Sequence, residues 1–220
     1  RSIDVGAILM TLVEQPTGEM NEAMLLIISE IFWPTGDWKG QKRFYYDETN
    51  KRKFYKVDAF SEAKNTVWEY EGPDHYGDVW KIKRDEERKL YFEKNRFTFL
   101  RWPYYLQLTE DVAKFIFKED FTSAKYSDAI KVVYGASSQR GVLAPGLHTS
   151  KNTPANFVGR GVKRFFQELG LYPSSVRAQI AECLRRYISA VGDPGLVIGD
   201  EPEFHDLLNT KITEQELVVF

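Results

Sequence analysis

Three stretches of aromatic and β-branched character lie between residues 40 and 71, separated by only two short polar turns. "QKRFYYD" and "KFYKVDAF" flank "ETNK", and "SEAKN" leads into "TVWEYE". Strands joined by turns this short run antiparallel. The next stretch, "DVWKIKRDEERKLYFEK", is strongly helical in propensity, with Asn95 placed as its C-terminal cap. "RFTFLRW" then reads as a buried strand that Pro103 ends. Upstream, "TGEMNEAMLLIISEIFW" (17–33) places Met24, Leu25, Ile28 and Ile31/Phe32 on one helical face and stops at Pro34. Helix, antiparallel strands, helix, strand: the order predicts an α/β fold with a central mixed β-sheet flanked by helices.

Beyond residue 108 the pattern turns helical. "TEDVAKFIFKED" (109–120) is a Thr-capped helix, followed by a strand expected at 129–134 and a long loop. "TPANFVGRGVKRFFQELG", with Pro154 early and Gly170 as the stop, and "SSVRAQIAECLRRYISAVG" give two further helices. A boundary near 120–125 therefore divides the chain into an α/β part, 1–122, and a mainly helical part, 123–220. In that second part His148, Ser150 and Asn152 read first as loop residues and second as substrate contacts.

Bulk properties narrow the function classes. Charged residues make up 28% of the 220 but leave a net charge of −2, so nucleic-acid binding must rest on a local patch. Cys183 is the single cysteine, which excludes an internal disulfide and a cysteine zinc site and fits a reducing, cytoplasmic setting. No run of apolar residues is long enough to span a membrane. Residues 192–220 hold seven acidic side chains against Lys211 alone.

"VWEYEGPDH" (67–75) carries the most chemistry. Glu69 and Glu71, two apart on a strand, point the same way. Like charges at that spacing repel, so a fold that keeps them offers a cation between them. A hairpin at "SEAKN" brings Asp58, at the end of "FYKVD", beside the pair, and Glu22 on the preceding helix adds a fourth oxygen. Such an all-oxygen set suits Mg²⁺ or Mn²⁺, which lowers the pKa of a bound water and screens charge on a phosphodiester. His75 is placed to accept a proton or orient the water. Each piece also has a plain reading: an edge strand with a solvated face, a first-turn helix charge, a loop histidine.

Taken together, Asp58, Glu69-x-Glu71, "EGPDH", "KRDEERKLYFEKN" and "FTFLRW" resemble the PD-(D/E)XK nuclease superfamily, in the branch around the very-short-patch repair endonucleases. The resemblance covers roughly residues 17–108. It implies a restriction-endonuclease-like core and a metal-dependent DNA endonuclease of restriction, repair or mobile-element type. Glu22 matches the helical acid, Asp58 the central metal-binding aspartate, and Glu71-Gly72 with His75 the strand end. Arg84, Asp85 and Arg88 match the charged helix, and Leu100-Arg101 the last strand. The catalytic set so implied is Asp58, Glu69, Glu71 and His75. The superfamily's lysine position holds Glu71 here, which keeps open a nuclease-fold binding protein without catalysis. An unrelated protein-interaction module is the third reading.

Seven basic residues fall between Lys39 and Lys56, interleaved with Phe44, Tyr45, Tyr46 and Tyr55. On a hairpin they form a basic, aromatic ribbon beside Asp58, in which Lys51, Arg52, Lys53 and Lys56 would contact the phosphates of double-stranded DNA, joined by Arg84 and Arg88. A solvated hairpin and intrahelical ion pairs are the competing readings of the same residues. A homodimer stays open.

Overall fold

Leu25, Ile28 and Phe32 recur at helical spacing and are fully buried. They are the inner face of α1 (Gly18–Phe32), the first element of a computed structural model that describes residues 18–134 and 153–209. The sheet that α1 covers has the order β1-β2-β3-β4, formed by Lys39–Tyr45, Phe54–Ser61, Thr66–Glu71 and Thr98–Pro103. The first three strands pair antiparallel and β4 joins β3 in parallel. The parallel step is made possible by a helical crossover: a single turn, α2 (Asp74–Gly77), then α3 (Val79–Lys94).

Local chemistry fixes α3 at both ends. Asp78 accepts hydrogen bonds from the backbone of Trp80 (2.8 Å) and Lys81 (3.2 Å). At the other end Asn95 caps as expected, but the left-handed residue is Arg96 (φ 65°). Bonds from Phe97 N to Phe92 O (3.0 Å) and Arg96 N to Glu93 O (2.9 Å) close a Schellman turn and launch β4.

The two faces of the sheet bury different sets. Ala59, Trp68, Tyr70 and Trp102 lie against α1, with Phe32 and Phe117 stacked at 3.7 Å. Val57, Phe60 and Val67 lie against Phe92 of α3. After β4 come α4 (Glu110–Phe117), with Thr109 as its N-cap, a 3₁₀ turn (Lys118–Asp120), and α5 (Ser123–Tyr134). The strand expected at 129–134 is therefore helix. Tyr126, Ala129, Ile130 and Val133 follow helical spacing toward the core, so the β-branched run "KVVY" is one turn of an amphipathic helix. Lys125 Nζ fastens α5 to α1 by donating to the carbonyl of Phe32 (2.8 Å).

The remaining helices are α6 (Gly159–Leu169), preceded by a 3₁₀ turn at Pro154–Asn156, α7 (Ser174–Val191), α8 (Pro194–Ile198) and α9 (Pro202–Asn209). The boundary expected near 120–125 falls just before α5. The helices beyond it share one buried cluster with the sheet, running from Leu25 through Phe165 to Phe204 and Leu207. His148, Ser150, Asn152 and the tail 210–220 lie outside the described residues. Among the described residues no helix is long and apolar enough to cross a membrane.

Gly161 sets how closely α6 approaches α2. A Cβ there would collide with the carbonyl of Tyr76, so only glycine allows the contact. Gly161→Ala is expected to lower the unfolding free energy by about 2 kcal/mol or more through overpacking, read from urea denaturation, whereas the exposed neighbour Gly159, with nothing near its Cβ position, tolerates the same change.

Candidate active site

The two glutamates of β3 face α3, as their spacing requires, and each meets a guanidinium. Glu69 is buried, and its Oε2 lies 2.9 Å from Arg88 Nη1. Glu71 is fully buried and is ion-paired to Arg164 of α6. Arg101, on the neighbouring strand, brings its Nε to 3.0 Å from Glu71 Oε1. That N–H is not aligned on the oxygen, so the contact acts as charge pairing and leaves both atoms without a hydrogen bond.

Asp85 of α3 is the hub beside them. Its Oδ2 is 2.6 Å from His75 Nδ1 and 2.9 Å from Arg164 Nη1, and its Oδ1 is 2.8 Å from Arg88 Nη2. Burial alone would raise its pKa, but the His75 hydrogen bond and the charges of His75, Arg88 and Arg164 hold this carboxyl well below the usual carboxylate range. Arg164 also donates to the carbonyl of His75 (3.2 Å) and to Glu168 Oε1 (2.8 Å). Glu168 Oε2 in turn accepts from the hydroxyls of Tyr76 (2.6 Å) and Tyr105 (3.0 Å).

Asp58 sits apart from this web, at a flaw in the sheet. Gln41, which would face it across β1, has φ 55°, and pairing skips both residues. On its other side the β2–β3 ladder begins only at Ala59 and Trp68. The Asp58 carboxylate fills the gap by accepting the Tyr70 backbone N–H through Oδ2 (2.8 Å). Gln41 Nε2 bridges outward, to Glu22 Oε2 at 2.7 Å and to Asp58 Oδ1 at 3.5 Å. Burial and then the nearby Glu22 push the Asp58 pKa up to about 6, against the opposing Tyr70 bond and the charges of Arg88 and His75.

The carboxylates thus fall into two groups. Arg88, Arg101 and Arg164 make the ion pairs of Glu69, Glu71, Asp85 and Glu168, three guanidinium groups against four carboxylates. Asp58 and Glu22 have no guanidinium within ion-pair distance among the described residues, and Gln41 bridges them. Burial pushes Glu69 well above the usual carboxylate range; Arg88 opposes this, and Asp58, Glu71 and Asp85 reinforce it. Its Oε1 is buried without a hydrogen-bond partner. Among the described residues the trio whose ligand atoms lie within 4.8 Å of one another is Glu71, His75 and Asp85, not the Asp58, Glu69 and Glu71 set that the hairpin suggested. That trio already holds the Arg164 guanidinium.

Of the basic residues expected on nucleic acid, Lys51, Arg52, Lys53, Lys56 and Arg84 are exposed. Lys53 pairs with Asp47 at 3.0 Å, and Lys51 lies over the Tyr45 ring at 5.2 Å. Arg88 instead turns inward to Glu69 and Asp85. Sequence reasoning missed Arg164, Glu168 and Gln41. The pair Arg164 and Glu168 at spacing four was visible, but on an amphipathic helix it reads as a surface ion pair. Compared with known family models, with curated proteins and with solved structures, the chain matches none.

Two outcomes follow from these charges. Arg164→Met leaves Glu71 and Asp85 buried without their guanidinium and is expected to cost about 3–5 kcal/mol in urea denaturation. Asp58 behaves oppositely. Its folded pKa is raised from an ordinary 3.8 to about 6, so the folded state holds the proton more tightly and stability falls as pH rises through that window. Asp58→Asn keeps an acceptor for the Tyr70 N–H. It is expected to be more stable than wild type above pH 6, by on the order of 1 kcal/mol, and equal to it below about pH 4. A gap that does not change with pH would count against the assignment.

Proposed function

We propose that the chain is a divalent-metal-dependent nuclease that hydrolyses phosphodiester bonds in DNA, built on a restriction-endonuclease-like core. The observation that carries this reading is the excess of carboxylates over guanidinium groups, with Asp58 and Glu22 paired to no guanidinium among the described residues, together with the buried Oε1 of Glu69 that has no hydrogen-bond partner. A site of oxygen donors with unmet negative charge fits Mg²⁺ or Mn²⁺. Asp58 and Glu69 would hold the ion, with Glu22 nearest the solvent side. When bound, such an ion supplies an activated water and a counter-charge for the phosphodiester. The order of elements, a helix, three antiparallel strands, a crossover helix and a parallel strand, supports the same reading.

The remaining groups have roles that follow from their contacts. The Asp85 carboxylate accepts a hydrogen bond from the Nδ1–H of His75, which in the neutral ring makes Nε2 the acceptor and fits it to take a proton from water. Arg164 and Arg101 neutralise Glu71, so the strand end keeps its shape without drawing a second metal ion. The exposed β1–β2 hairpin adds Lys56, two residues from Asp58, and Lys51 and Arg52 at its far turn as phosphate contacts, which would set the position of a duplex without reading its sequence.

One observation favours a binding protein without catalysis: the trio with metal-ligand spacing is occupied by Arg164. Thermal unfolding and cleavage separate the two. Under the nuclease reading Mn²⁺ raises the melting temperature of wild type by mass action but not that of Asp58→Asn or Glu69→Gln, and both variants lose cleavage of plasmid DNA. His75→Ala keeps the metal response and slows turnover by about 10²-fold. Wild-type protein that ignores Mn²⁺ and Mg²⁺ with DNA present, yet binds DNA in a salt-dependent way, would leave only the binding reading.

A further inference from the structure

β4 is the last strand of the sheet, and among the described residues no strand pairs with its outer edge. Thr98 N bonds to Asn65 O (2.9 Å) and Tyr104 N to Glu71 O (2.8 Å), so the even-numbered residues address β3. In a parallel ladder the alternate residues, Phe99 and Arg101, then turn their N–H and C=O groups outward. A cavity of about 680 Å³ follows this edge, lined by β4 from Thr98 to Pro103. Its far wall comes from α4 and the 3₁₀ turn after it, and from the end of α6 with Leu171 and Tyr172. Leu171 is 71% exposed at its mouth.

The two sides of the groove differ in chemistry. On the α1 side Trp33, Trp68, Ile116 and Phe117 make an aromatic and apolar wall. Trp68 is fully buried, yet its indole N–H has no acceptor among the described residues. On the α3 side stand Lys89, Arg101 and Gln167, and Lys64 and Lys118 add two exposed cations at the rim. Of the acids along the groove, Glu168 is bound by Arg164 and the tyrosines, and Asp120 accepts the Trp33 indole N–H at 2.9 Å. Lys89 is paired with Glu93 on its own helix at 3.6 Å, which leaves Lys64 and Lys118 as the rim cations without an ion pair among the described residues, facing Glu119 and Asp120. Lys118 is held at φ 46°, ψ −120°, an unusual conformation for a residue with a side chain.

We propose that the β4 edge is the docking groove for an extended acidic peptide of a partner protein, added to the sheet as a further strand. Strand addition satisfies the outward groups of Phe99 and Arg101 through main-chain bonds, and alternate side chains of the incoming strand fall on opposite faces. One set meets the aromatic wall and the other meets the rim lysines Lys64 and Lys118. The favoured partner sequence therefore alternates apolar and acidic residues. The groove lies at the opposite edge of the sheet from the basic hairpin, and its occupation does not depend on the nuclease reading.

An array of synthetic peptides about eight residues long, enough to span the six of β4, tests this without any cleavage assay. Peptides alternating leucine or valine with glutamate are expected to bind, and to slow hydrogen exchange at the amides of Phe99 and Arg101. Methylating alternate backbone nitrogens of the peptide abolishes binding, lysine in place of glutamate abolishes it too, and Lys64→Glu with Lys118→Glu weakens it by about tenfold or more. The proposal is overturned if no alternating acidic peptide binds or if the methylated peptide binds equally well. It is likewise overturned if a single-stranded oligonucleotide protects the same amides and displaces the peptide. Protection that grows with protein concentration alone would assign the edge to a second copy of the chain and overturn it as well.

Discussion

Arg164 makes the most demanding contact in the molecule, because it is the group that lets Glu71 exist as a fully buried carboxylate. Burying an ion pair seldom gains stability over a well-packed apolar pair of the same volume, whereas removing one partner is severely destabilising. Glu71 sits on the central strand pair and Arg164 on α6, 93 residues later. The helical second part of the chain is thereby tied to the sheet by charge as well as by packing. Gly161 belongs to the same constraint: without a close approach of α6 to α2, the guanidinium could not reach both Glu71 and Asp85. Without Arg164 the sheet-bearing part would set only Arg88 and Arg101 against Glu69, Glu71 and Asp85, with Asp58 still lacking a guanidinium.

Much of the sheet was legible because its signals are local. Short polar turns force antiparallel pairing, Thr109 announces a helix start, Asn95 a helix end, and Pro34 and Pro103 end their elements. The facing of Glu69 and Glu71 followed from strand periodicity alone, and so did the demand for a cation between them. The cations themselves were not legible: Arg88 meets Glu69, and Arg164 reaches Glu71 through tertiary packing that no local pattern encodes. "KVVY" failed for a related reason. Its β-branched residues satisfy strand propensity, but Ala129 and Val133, one helical turn apart, bury the face that decides. Arg88 was read as a phosphate contact since a charged helix face looks the same whether it meets solvent or an acidic strand.

The flaw at Gln41 and Asp58 explains why the surplus charge collects where it does. A regular ladder would have bonded the N–H and C=O of Asp58 to one neighbouring strand and made its side chain stand off one face of the sheet. With pairing suspended, the carboxylate replaces a main-chain acceptor for Tyr70, and the cost is carried as an elevated pKa and a residue at positive φ. Such departures persist where function holds them in place. Asp58 is the one carboxylate of the site that combines partial exposure, a raised pKa and the absence of a guanidinium within bonding distance among the described residues.

The same sheet has two unlike edges, and the difference bears on how the molecule can be used. β1 is exposed along most of its length but carries Lys39, Lys42 and Arg43 and is bent at Gln41. Charge and irregularity are the devices that keep an edge from pairing with another strand, and β1 carries both. β4 lacks inward charge on its apolar side, remains regular from Thr98 to Trp102, and meets a walled groove instead of open solvent. An edge protected by walls excludes a broad sheet but admits a single extended segment. Arg101 contributes to both places, with its backbone on the groove and its guanidinium on Glu71 and Glu168. A strand added at β4 would therefore stiffen the residue that helps neutralise Glu71, which gives the groove a direct physical route to the charge balance of the site.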